Sequence, residues 1–172
     1  MATRVHSKSM SSGFELETRV ESVWDYPRPP HLEPSGRHVV IRHAGHIVAD
    51  TRNALRVLET SHPPVYYLPP TDIDTSVIQA ADGGSFCEWK GVAEYWHVVI
   101  GGRRIDRAAW SYPRPAAAFS ALKDHLAFYA GPLDECTVDG EQVRAQPGTF
   151  YGGWITSDLT GPFKGGPTSR GW

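Results

Sequence analysis

The chain has 172 residues, enough for one domain of ordinary size whose core needs no staple. Its 17 basic residues against 19 acidic ones leave a formal charge of −2, which argues against a basic nucleic-acid surface and against a polybasic membrane anchor. With 40% hydrophobic and 21% charged residues the chain is not wholly disordered, and 17 glycines with 14 prolines argue against a mostly helical fold.

Residues 1–20 are rich in serine, carry Arg4, Lys8 and Arg19, and hold no apolar run of signal-peptide length. They are expected to form a flexible N-terminal arm ahead of a single domain over 21–172. No stretch approaches the roughly 18 apolar residues of a membrane span. Residues 39–42 and 47–49, around Ala44-Gly45, predict a hairpin. Thr51 is placed to cap a short helix over 52–59, with Ala54, Leu55 and Leu58 on one face. Residues 65–68 are a β-favouring run walled by Pro63-Pro64 and Pro69-Pro70. Thr71 or Asp72 would cap a further helical turn through Ile78. Residues 86–90 alternate and predict a strand that continues past Gly91 into 92–100. Such a strand puts Phe86, Glu88 and Lys90 on one face and Cys87 and Trp89 on the other. Gly101-Gly102 turns the chain into 103–107, and Pro115 opens a helix over 116–122. Residues 126–129 return to strand, and Asp139-Gly140 suits a two-residue turn between two more strands. From Pro147 to Trp172 the chain is glycine-rich and has no period. Phe150, Tyr151, Trp154, Phe163 and Trp172 nevertheless make it too aromatic for a solvated tail, and it reads as a strap packed back over the sheet.

The candidate ligand-binding rings are Trp24 and Tyr26 in a proline-rich arm, Tyr66, Trp89, Trp110, Tyr112 and Trp154. Many sit beside proline or glycine, where loops build sites, so a ligand cage competes with plain core filling. Glu88 and Lys90, two apart on the expected strand, are either a catalytic acid/base pair or a surface ion pair. Glu59 is a second candidate carboxylate. Cys87 and Cys136 lie in no C-x-x-C, and no H-E-x-x-H occurs, so free thiols, a reducing cytoplasmic setting, and neither metal nor cofactor are expected. The eight histidines are scattered, and no G-x-S-x-G elbow or phosphate-binding P-loop is present. These residues point first to a small-molecule-binding domain with an aromatic-walled pocket, for an aromatic or heterocyclic ligand, extending to acid/base catalysis without a cofactor. The alternatives are a protein-interaction module that docks through the aromatic arm and tail, and nucleotide handling through Arg103, Arg104 and Arg107. No nucleic-acid or membrane partner is expected.

The motifs V-W-D-Y-P-R-P-P, A-D-T-x-x-A-L-R-V-L-E-T-S-H-P-P-V-Y-Y-L-P-P, F-C-E-W-K-G, A-W-S-Y-P, V-D-G-E-x-V and F-Y-G-G-W-I-T…G-P-F-K-G…G-W closely resemble the family catalogued as domain of unknown function 427, from about Glu21 to Trp172. The resemblance implies a mainly β fold with short helices, two antiparallel sheets meeting at an angle in a β-tent. Methionine-R-sulfoxide reductases and the thalidomide-binding domain of cereblon share that architecture. Those relatives commonly hold zinc through paired C-x-x-C motifs, which this sequence lacks, so a zinc-free version is implied. The family has also been labelled a nucleotidyltransferase, an activity that needs metal-binding carboxylates and a phosphate loop. Asp72 and Asp74 come with no such loop.

Overall fold

In the computed structural model, which describes residues 19–172, the chain is mainly β, built from antiparallel sheets joined by short 3-10 helices. The expected arm over 1–20 lies outside the described residues but for its last two. One four-stranded sheet runs in the order Leu126–Phe128, Arg103–Ser111, Gly91–Ile100, Ile78–Cys87. A second runs Glu141–Gln142, Glu135–Val138, Val39–His43, His46–Thr51. A three-stranded sheet, His31–Ser35, Ala54–Leu58, Val65–Tyr67, continues into the first, because Leu68 and Leu126 exchange backbone hydrogen bonds of 2.8 and 2.9 Å. No helix among the described residues is long and apolar enough to cross a membrane.

The expected hairpins form where two consecutive residues take left-handed backbone. Asp139 and Gly140 have φ of 49° and 80°, and Val138 pairs with Glu141 across them. Gly101-Gly102 and Ala44-Gly45 repeat the geometry. The expected tail strap is also observed. Trp154–Ile155 pairs with Arg144–Ala145, Leu159–Thr160 runs parallel to Glu21–Ser22, and Trp154 N–H donates to the Pro64 carbonyl at 2.9 Å.

Three expectations fail. Residues 52–59 are not helical; Ala54–Leu58 is the middle strand of the three-stranded sheet. Its alternation sends Val57 and Arg56 to opposite faces, and Arg56 reaches Glu33 at 2.5 Å and Glu21 at 2.9 Å. Those cross-strand partners outweigh the weak helical spacing of Ala54, Leu55 and Leu58. The outer strand, His31–Ser35, tolerates Pro34 because it is an edge. The turn before Ile78 divides into Pro70–Asp72 and Thr75–Val77, and the second is capped by Asp74, which accepts from Ser76 N–H at 3.1 Å. Finally, residues 86–90 are not one strand. The strand ends at Cys87, which pairs with Gly91, and Glu88-Trp89-Lys90 form the turn. Gly91 takes a φ of 107°, closed to most side chains, and its presence lets the chain reverse there.

The core is divided by strand alternation. Tyr66, Leu68, Ala109, Leu126, Phe128 and Trp154 belong to a cluster that also takes Val39, Ile41, Val48 and Val138 from the second four-stranded sheet. Tyr67, Trp110, Tyr112 and Ala127 face the other way, with Val57, Tyr95, Phe119 and Leu122. The cavity opens on this second side.

Candidate functional site

A cavity of about 410 Å³ lies between the strand ends carrying Tyr67, Tyr95, Trp110 and Tyr112, the Glu88–Lys90 turn, the loop of Glu59 to Pro63, and the tail. The turn is held from behind, since Ala116 N–H donates to the Lys90 carbonyl at 2.9 Å. On the opposite wall the loop is trapped between both ends of the chain: Ser61 N–H donates to the Val23 carbonyl at 3.0 Å, and Lys164 N–H donates to the Ser61 carbonyl at 2.8 Å.

The tail closes the roof by backbone contact. A Cβ on Gly152 would sit 2.2 Å from the Trp110 ring, and one on Gly153 would sit 2.5 Å from the Pro63 carbonyl oxygen. Gln146 fixes this approach. Its Oε1 accepts from Gly153 N–H at 2.9 Å, which leaves its Nε2 to donate to the Lys164 carbonyl at 2.8 Å and to His62 Nδ1 at 3.0 Å. His62 Nδ1 is therefore an acceptor, and the proton of the neutral ring sits on Nε2, 3.7 Å from Glu59 Oε2. Burial, aided by Lys164, Arg28 and Lys90, pushes the His62 pKa down to about 3. The ring is neutral at physiological pH, and it packs edge-on to Tyr151 at 4.7 Å.

Of the rings expected to bind ligand, Trp89, Trp110 and Tyr112 line the cavity. Trp110 packs on Tyr129 at 4.6 Å, and its Nε1 donates to the Tyr67 hydroxyl at 3.4 Å. Burial raises the hydroxyl pKa of both Tyr67 and Tyr112, so both remain protonated. The other expected rings are not brought together there. Tyr66 and Trp154 pack on one another at 5.6 Å in the core, and Trp154 Nε1 donates to the Phe128 carbonyl at 2.9 Å. Tyr26 is buried with Val23 and Leu58, its hydroxyl donating to Glu21 at 2.6 Å. Trp24 is partly exposed, donates to the Pro162 carbonyl at 2.8 Å, and backs the wall through an edge contact with Trp172 at 5.3 Å.

Glu88 and Lys90 both line the cavity but do not form the expected pair. The turn separates them: Glu88 is exposed, Lys90 is buried, and no ion pair joins them. Burial pushes the Lys90 amine down, but Tyr67, Cys87 and Glu59 outweigh it and hold its pKa above the ordinary lysine value. It is an ammonium at neutral pH and a poor base. The groups with proton-transfer capacity here are His62 and Glu59. Sequence reasoning missed His62, Gln146 and Lys164, and it noted Tyr67 and Tyr151 as aromatics without counting them among the ligand-binding rings. Strand alternation after Tyr66 could have placed Tyr67; no local signal marked His62, Gln146 or Lys164. Asp72 and Asp74 serve elsewhere, accepting from Thr51 at 2.6 Å and pairing with His46 at 2.7 Å.

The family described as "Domain of unknown function (DUF427)" matches residues 31–139, well over half of the chain. The chain belongs to the DUF427 family. The DUF427 match spans the Glu59–Pro63 loop, the Glu88–Lys90 turn and the strands of Tyr67, Tyr95, Trp110 and Tyr112, while the tail roof lies beyond it. No curated protein matches the chain.

Proposed function

We propose that this protein is a small-molecule-binding domain whose ligand sits in the cavity beneath the tail. The observation that carries the reading is convergence: rings from the sheet, the turn and the tail meet around about 410 Å³ together with Arg28, Glu59, His62, Lys90 and Lys164. A hollow of this volume in which aromatic rings and convergent polar groups meet has the usual form of a ligand site. Catalysis would extend this reading through a proton moved by Glu59 and His62, the ring held by Gln146 in the tautomer with Nε2–H toward Glu59. A panel of one- and two-ring aromatic molecules, followed by thermal unfolding and tryptophan fluorescence, tests the proposal. A ligand at about 100 times its Kd should stabilise the fold by about 2.7 kcal/mol. Trp89, Trp110 and Trp172 on the cavity wall should report it optically.

A protein-interaction role is the second reading. Its supporting observation is the exposure of Phe86 (73%) and its cross-strand partner Val92 (54%), with Phe150 (59%) also exposed. A panel that leaves both melting and fluorescence unchanged would favour this docking role over a pocket.

A further inference from the structure

Three cations reach the cavity, and two of them bond to oxygen atoms of the chain. Arg28 pairs with Glu59 at 3.4 Å and donates to the Trp172 backbone oxygen at 3.1 Å. Lys164 Nζ donates to the same oxygen at 3.0 Å. Lys90 differs. The residue is only 9% exposed, and among the described residues its Nζ has no ion pair and no hydrogen bond to oxygen. Its surroundings are the Cys87 thiol, Tyr67, and the Tyr112 ring 5.7 Å from Nζ. Lys90 lines the cavity beside Cys87, Trp89 and Tyr112. A buried ammonium among aromatic neighbours, with no carboxylate within ion-pair distance, is a place prepared for an anion.

We propose that the ligand is an aromatic monocarboxylate, its carboxylate on Lys90 Nζ and its ring system against Trp89 and Trp110. The inference rests on the small-molecule reading of the cavity. Lys90 is the cavity ammonium that no oxygen of the described residues meets, and one negative charge fits it. A phosphate monoester would bring close to two, and the cations left to meet the second, Arg28 and Lys164, are already held by Glu59 and the Trp172 oxygen. The ammonium is the useful form of this lysine: it donates to both carboxylate oxygens in turn and holds no lone pair for attack on a carbonyl. His62 adds a neutral N–H donor without adding charge, and the cavity volume accommodates one or two fused rings.

Naphthoate, naphthamide and naphthyl phosphate share a ring system and differ in charge, so their affinities by calorimetry on the full chain form the test. Naphthoate should bind about tenfold to a hundredfold more tightly than naphthamide, the range of a charge-assisted hydrogen bond. Lys90→Gln should remove that preference, and Lys90→Arg should restore part of it. Equal binding of naphthoate and naphthamide to the native chain overturns the anion inference while leaving the pocket standing. Tighter binding of naphthyl phosphate overturns the monocarboxylate in favour of a phosphorylated ligand. Naphthoate preference retained in Lys90→Gln removes Lys90 as the anchor. If none of the three binds at millimolar concentration, the cavity reading itself fails. Should Lys90→Gln not fold, the comparison on the native chain still decides.

Discussion

Tyr66 and Tyr67 are adjacent in the chain and belong to different parts of the molecule. Tyr66 faces the core between the two four-stranded sheets and packs on Trp154; Tyr67 faces the cavity, beside Trp110 and Tyr112. Both are fully buried, so burial does not separate a structural ring from a ring that shapes a site. The face of the strand does. Rings on the first side are enclosed by the core that both four-stranded sheets share, whereas those on the second border a cavity that charged groups also line.

The largest effect that would sharpen this contrast is on the core side. Trp154→Ala should cost about 3–5 kcal/mol in denaturant unfolding, because a fully buried indole leaves a void and an orphaned Phe128 carbonyl. A loss below about 1 kcal/mol would mean the tail does not complete the core. Gly153→Ala should cost about 1–3 kcal/mol, since its Cβ would meet the Pro63 carbonyl and Gln146 Oε1, and backbone cannot retreat as a side chain can. Trp89→Ala belongs to the cavity side: stability should change by under about 1 kcal/mol while affinity for naphthoate falls about tenfold. The reverse pattern would return Trp89 to the structural class.

Acid titration gives a subtler separation. His62 has a folded pKa near 3 against 6.5 for the free group, so the unfolded chain takes up the proton first. Its contribution is present above about pH 6.5 and is lost as pH falls from there toward 3. His62→Gln should flatten the unfolding free energy over that window; an unchanged slope would mean the ring is solvated. The smallest effect is expected from Glu88→Gln, within about 0.5 kcal/mol in stability and with little change in affinity. A large loss of binding there would bring the exposed carboxylate back into recognition.

Much of the fold was legible because turns are local. Ala44-Gly45, Gly101-Gly102 and Asp139-Gly140 announce left-handed backbone by composition alone, and the hairpins follow. The strand Ala54–Leu58 was not legible, because what holds it is Arg56 between Glu33 and Glu21, more than twenty positions away. The turn at Glu88-Trp89-Lys90 was hidden for a related reason: alternation persists through a three-residue turn, and a single glycine in such a run does not distinguish a continuing strand from a reversal. Within the site, Trp89, Trp110, Tyr112 and Lys90 stood out by residue type. His62, Gln146 and Lys164 did not, since their meeting depends on the tail folding over a loop more than eighty residues upstream.

The roof of the cavity also sets when the hollow can exist. Trp24 bonds to the Pro162 carbonyl across 138 positions, and Arg28 bonds to Trp172 across 144. The hairpins can therefore form from neighbouring residues, whereas the cavity walls meet only once the tail has folded back onto the Trp24 arm. Ligand capture would act as a late seal, favouring molecules whose tail is docked and offering nothing to those whose tail has lifted.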